Sequence, residues 1–271
     1  MLLGHADHAA LAGAFARHWK NARFVPPDPF AHILDAVSRH DDSWKGRDAV
    51  PELTPEGLPS AFSRELVGTY EAFEEIDLPA YLAVRGRATE QAAARDPYSA
   101  VLISMHTVNL LTEQADVDSL SPEGQGLLRT FVEGQRIRQK ELMEGLADSG
   151  TNPEYLTPAS LRCGFEFLQA CDSFSLLVGV DYPEASALRH RHPFGSDAAE
   201  AIRYLPLGNR HYRLDPWPLD ESQLVFDIPY RRVPKSALSS LELFRSAFAT
   251  AEVESVQITV SGEMPCVPKK I

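Results

Sequence analysis

A mainly α chain, a helical body with a small strand-containing part at its C-terminal end, is predicted by three observations. Apolar residues recur at the 3-and-4 spacing of helices through most of the first 180 residues. Helix-start signals, Asp96-Pro97, Ser121-Pro122 and Thr157-Pro158, stand before the longest of these runs. Short alternating runs are confined to the stretch from Leu214 on. The expected organisation is a helical core over 1–180 and an α+β appendage over 181–271 packed on it, or one continuous domain.

The totals bound the class. With 271 residues and 44% hydrophobic content the chain can bury a sizeable core. A net charge of −12 and a pI near 5.2 argue against a nucleic-acid or anionic-membrane surface, because phosphates are repelled at long range. No run approaches the roughly 18 apolar residues of a membrane span, and MLLGHADHAA has neither the basic nor the long apolar region of a signal peptide. A cytoplasmic protein with a small-molecule substrate is expected, and its oligomeric state is open. Cys163 and Cys171 fall on one helix, roughly 12 Å apart in rise, and Cys266 stands alone, so all three read as packing residues.

Taken in order, residues 5–19 form a helix with His8, Leu11, Ala12, Phe15 and Trp19 on one face and His5 one turn before it. Pro27 to Trp44 is the second helix, with Asp28 as its cap, Pro29 at its first position, and a stripe of Phe30, Ile33, Leu34 and Val37. His40 and Asp41 continue that stripe, and Trp44 restores its apolar character. Lys45 to Phe62 is rich in Pro and Gly and reads as a surface loop; helices follow over 60–78 and 79–95, the latter broken near Gly86. Tyr98 to Thr112 is a buried helix enclosing His106, a solvated helix runs from Ser121 to about Ala147, and another begins at Thr157 with Phe165, Leu168, Asp172 and Leu176 on one stripe. DYPEASALRHRHPFGS reads as a loop with His190 and His192 solvated, VFDIPYRRV and SVQITV as strands, and 235–251 as a helix. Phe15, Trp19 and Trp44 are core candidates.

An imidazole or carboxylate thus replaces a core residue on several inward stripes: His8, then His40-Asp41, then His106, then Asp172. A buried carboxylate without a partner costs on the order of 3 kcal/mol or more, and a metal ion is one common way to offset it. Imidazole with carboxylate suits Zn, Fe, Mn or Ni, in one or two ions. A hydrogen-bonded polar core is the competing reading.

This ordered set resembles the HD superfamily of metal-dependent phosphohydrolases, which place a histidine on one helix, a His-Asp dyad on a later one and a distant aspartate on another. The resemblance implies an HD-like helical bundle, with His8, His40, Asp41 and Asp172 as metal ligands and His106 as a further ligand or catalytic group. Asp41 would bridge two ions in a dinuclear member. It implies hydrolysis of a phosphate ester or nucleotide by metal-activated water, or, as an alternative, di-iron oxygenase chemistry on the same ligands; a non-catalytic binding or scaffold protein is the third reading. Lys45 and Arg136, with Arg47 and Arg138, are candidate substrate-phosphate contacts, and Asp7 and Glu133 candidate partners that orient imidazoles. The residues after the dyad, Asp42-Ser43-Trp44-Lys45, depart from the small-then-basic continuation of many hydrolases in that superfamily. DHAALAGAFARHW, HDDSW, SMH and CDSFSL also resemble a bacterial domain-of-unknown-function family, number 3891.

Overall fold

The structure, a computed structural model, describes residues 1–54, 56–61, 64, 67, 77–196 and 200–262. Its helices are α1 (His5–Arg17), α2 (Phe30–Arg39), the single turn α3 (Lys45–Asp48), α4 (Leu78–Ala93), α5 (Pro97–Asn109), α6 (Pro122–Asp148), α7 (Pro158–Gly179) and α8 (Leu241–Thr250). Three begin as the sequence signals require: Asp96 accepts from the Tyr98 and Ser99 amides, Ser121 from Gly124 and Thr157 from Ser160, each with proline at the first position. Asp28 does not cap α2; Pro29 holds that position, and no side chain caps it. Helix α2 ends with His40 as its C-cap, so the His-Asp pair sits at a helix terminus rather than within a helix. Helix α4 runs through Gly86 without a break, and α5 passes into one π turn, Leu110–Gln114. The expected 235–251 helix splits at Ser240, whose extended backbone (φ −155°) separates a 3₁₀ turn, Lys235–Ser239, from α8. Most of the expected 60–78 helix, and Cys266, lie outside the described residues.

The expected mainly α, HD-like bundle is overturned by a curled five-stranded mixed sheet, which makes the chain α/β. Strands β1 (Ser186–His192), β2 (Glu200–Gly208), β3 (His211–Asp215), β4 (Gln223–Arg231) and β5 (Val253–Ser261) lie in the order β1-β2-β3-β5-β4, antiparallel except for the β3–β5 pair. β1 was hidden within an expected loop for a physical reason. Its register against β2 shifts between Ala187 and Arg191, with His190 at φ 61°, so the period-2 alternation that marks a strand is interrupted. The β2–β3 hairpin turns on Asn209 and Arg210, both left-handed (φ 51° and 55°), the conformation a tight hairpin demands.

One face of this sheet is buried: Ile202 and Tyr204, Tyr212 and Leu214, Leu224, Phe226 and Ile228, Ile258 and Val260 join the same apolar core as Phe15, Trp19, Phe167 and Phe174. The Phe15 and Phe174 rings stack at 3.9 Å, tying α1 to α7. Cys171 is buried within α7, and Cys163 packs beside the Phe194 carbonyl. Helices α1 and α2 meet at Gly13, where a Cβ would lie 2.1 Å from Ser38 Oγ and 2.9 Å from Ser38 Cα. Because α1 carries His8 and α2 leads into His40, this close contact sets the distance between the two imidazoles. Gly13→Ala is therefore expected to lower stability by about 2 kcal/mol in urea denaturation, since backbone as well as side chain blocks the added methyl.

Candidate functional site

Five of the side chains singled out from the sequence are brought together. His8 comes from α1, His40 and Asp41 from the end of α2, His106 from α5 and Asp172 from α7, and all five are buried. Donor atoms of His8, His40 and Asp41 lie within 4.8 Å of one another, as do those of His40, His106 and Asp172, so the two sets share His40. These buried groups could hold a metal ion.

The hydrogen bonds orient the rings. His40 Nδ1 donates to the Val37 carbonyl at 2.9 Å, which leaves the lone pair of the neutral ring on Nε2. That Nε2 is fully buried and has no hydrogen-bond partner; it lies 3.3 Å from Asp172 Oδ1 and 3.9 Å from Asp41 Oδ2, beside the carboxylates rather than in line with them. His8 Nε2 donates to Asp41 Oδ2 at 3.1 Å, and Ser175 Oγ lies 2.9 Å from the other ring nitrogen, Nδ1. The imidazole and carboxylate donors of these buried sets are of the types that suit a borderline transition metal.

His106 is held differently. Asn109 Oδ1 accepts from Gln114 and from Gln169 Nε2, so Gln169 presents its amide nitrogen to His106 Nδ1 as well, at 3.3 Å. The His106 ring proton accordingly resides on Nε2, so without an ion this ring is a hydrogen-bond donor.

Electrostatics follow from burial and pairing. Burial opposes charge on His40, but the Asp41 and Asp172 carboxylates outweigh it and push its pKa up to about 9. Burial alone would raise Asp172; the His40 contact and charge bring it down to about 2. Asp41 is likewise held well below the carboxylate range, against burial, by Arg85, whose Nη1 donates to its Oδ1 at 2.7 Å. Desolvation lowers His8, and brings His106 to about 3, so both are neutral. Without an ion, His40⁺ and Arg85⁺ thus balance Asp41⁻ and Asp172⁻.

His8, Asp41, His106 and Asp172 line a cavity of about 460 Å³. Lys45 lines it, paired with Asp42 at 2.9 Å, and Arg47 lines it with its guanidinium over the Trp44 ring. Arg136 is exposed on α6 and does not line the cavity; Arg138 pairs with Glu90, and Glu133 is exposed on the same helix. Asp7 is exposed at the cavity wall, and its carboxyl is raised by burial and by Asp48. His5, the rival of His8, is held by Asp48 at 2.7 Å and stacks on Trp44 at 4.4 Å. His190 is not solvated: it is half-buried on β1, with Nε2 2.6 Å from Gln169 Oε1, and His192 packs on Phe24.

Arg85 and Gln169 escaped the sequence reading. Arg85 lies on the buried stripe of α4, four residues after Tyr81 and three before Ala88, and a charge at such a position was the available signal. Gln169 precedes Asp172 by almost one turn of α7 and shares its buried face.

Fold and site define an α/β protein with a buried His/Asp cluster able to hold a metal beside a ligand-sized cavity. The chain belongs to the family described as "Protein of unknown function (DUF3891)", whose model matches residues 1–235. No curated protein and no solved structure matches it. Among the described residues, no helix is long and apolar enough to cross a membrane.

An ion held by His40 would have to displace its proton. A weakly buffered titration is expected to release about one proton per ion at pH 7 and progressively less as pH approaches 9. The metal-free protein should show the matching stability profile: because the folded pKa of His40 is raised, its contribution is complete below pH 6.5 and is lost as pH rises to about 9, read as a falling Tm of the chelated protein.

Proposed function

We propose that this protein is a metal-dependent hydrolase that cleaves a phosphate ester or nucleotide with water. The observation that carries the reading is His40 Nε2, a buried ring nitrogen without a hydrogen-bond partner set beside two carboxylates and a second imidazole. Its ion-pair contact with Asp172 Oδ1 at 3.3 Å lies out of line for a hydrogen bond, a geometry that favours an ion between the groups over a self-satisfied polar core. The HD-type ligand set supports the reading although the fold is not the HD-like bundle. His8, His40, Asp41 and Asp172 would hold the ion, with zinc, iron, manganese and nickel all compatible with the donor set. When bound, the ion would lower the pKa of a water toward about 7 and polarise a phosphoryl oxygen.

The chain's own residues supply the rest. Arg85 occupies Asp41 Oδ1 and leaves Oδ2 facing the centre, so that carboxylate is directed inward by one oxygen. His106, neutral and with its proton on Nε2, offers a hydrogen bond to oxygen charge that develops during P–O cleavage without having to ionise. The cluster's side chains are buried, and the lower local dielectric strengthens these contacts. Charge balance favours one ion. One divalent cation in place of the His40 proton leaves the site at about +1, whereas two would leave about +3 beside Arg85.

A panel of phosphomonoesters, diesters and nucleotides, assayed with Mn²⁺, Ni²⁺, Fe²⁺ and Zn²⁺ in turn, tests the proposal. Turnover with at least one metal, lost in folded Asp172→Ala, is expected. Absence of turnover throughout the panel counts against hydrolysis.

A further inference from the structure

Arg85 is more than the counter-charge of Asp41. It is 7% exposed, its Nη1 donates to Asp41 at 2.7 Å and its Nε to the Tyr81 hydroxyl at 3.1 Å, and its guanidinium lies 5.3 Å and 5.2 Å from the Trp44 and Tyr81 ring centres. Its Nη2 has no protein partner among the described residues, although the residue lines the 460 Å³ cavity. A donor without a protein acceptor, on a permanently charged group held rigid between aromatic rings, suits an acceptor that carries negative charge.

Part of the cavity wall has the opposite character. Phe244 and Phe248 of α8, Val253 at the start of β5, and Leu176 of α7 line it. A volume of 460 Å³ is within the range of about 300–1,000 Å³ for small-molecule sites and far exceeds the roughly 30 Å³ of one water. The head end lies within the matched 1–235 segment, whereas Phe244, Phe248 and Val253 lie beyond it.

We propose that the cavity binds an amphipathic oxyanion, its head group on Arg85 beside the His/Asp cluster, its apolar body against Phe244 and Phe248. The assignment rests on the metal reading for the ion next to the head group, but the Arg85 contact and the apolar wall do not depend on it. An inorganic anion alone would leave the apolar wall unused. A neutral ligand would offer Arg85 Nη2 a weaker acceptor than an oxyanion provides.

The test is isothermal titration of the full, metal-loaded chain with phenyl phosphate, phenylacetate and inorganic phosphate. Expected is binding of phenyl phosphate or phenylacetate, with phenyl phosphate about tenfold or more tighter than inorganic phosphate if the head is a phosphate. Arg85→Gln should weaken the bound oxyanions by about tenfold or more, as loss of a charged hydrogen bond does. Phe248→Ala should reduce the advantage of the phenyl group and leave inorganic phosphate unchanged.

Arg85→Gln leaves Asp41 buried without its partner, so Arg85→Lys, which keeps the charge but not the planar fork, is measured beside it. In the wild-type chain, the Arg85 Nε–H resonance should shift on saturation with the bound ligand. Equal affinity in folded Arg85 variants, an unmoved Arg85 resonance at saturation, or no binding of either phenyl compound overturns the assignment. Elemental analysis of the same samples separates the two ideas: an Arg85-dependent oxyanion site in a metal-free chain refutes the hydrolase reading alone, and bound metal with Arg85-independent binding refutes this inference alone.

Discussion

The pairing of Asp41 is the interaction on which the rest of the site depends. A carboxylate that is 2% exposed persists in charged form only when its neighbours replace water, and here Arg85 takes one oxygen while His8 and His40 face the other. Arg85 in turn is held by the Tyr81 hydroxyl and by two aromatic faces, so the cation is fixed as firmly as the anion it serves. Because that pair is internally balanced, the remaining charges, Asp172 and the His40 proton, form a second balanced pair. Only the second can exchange a proton for a metal without leaving Arg85 unmatched.

Several parts of the fold converge to maintain this arrangement. The α1–α2 contact at Gly13 fixes how far His8 stands from His40, and α7 supplies both Asp172 and Ser175, which orients His8. The same helix presents Gln169, which decides where His106 carries its proton, and β1 buttresses Gln169 through His190. The sheet is therefore part of the site's support, and the bulge that obscured β1 in the sequence is also what sets His190 at its left-handed turn.

Much of the cluster was legible in the sequence because burial leaves a periodic trace. An imidazole or acid on an apolar stripe stands out, as His8, His106 and Asp172 did, and helix starts at Asp96, Ser121 and Thr157 could be placed from side chains that satisfy free amides. Fold class was less accessible. Strands β1 and β2 are short or bulged, and only Leu188 of β1 is fully buried, so neither a long alternating run nor an apolar block advertised the sheet. Arg85 was passed over because arginine is ordinarily read as a solvated helix residue; its burial depends on Asp41, 44 residues away in the chain, which no local pattern reports. The substrate-contact reading of Arg136, which is exposed away from the cavity, and the loop reading of His190 both needed the fold: side-chain environment at such positions is decided by tertiary packing.

The central claim is that the buried cluster is a metal site and not a self-satisfied polar core. Elemental analysis of the purified chain beside His40→Ala and Asp172→Ala, matched for folding by circular dichroism, tests it most directly. The account predicts about one transition-metal ion per native chain and none in either folded variant. Three metal-free proteins, even after reconstitution with zinc, iron, manganese and nickel, would contradict it and leave the four charges as a structural network.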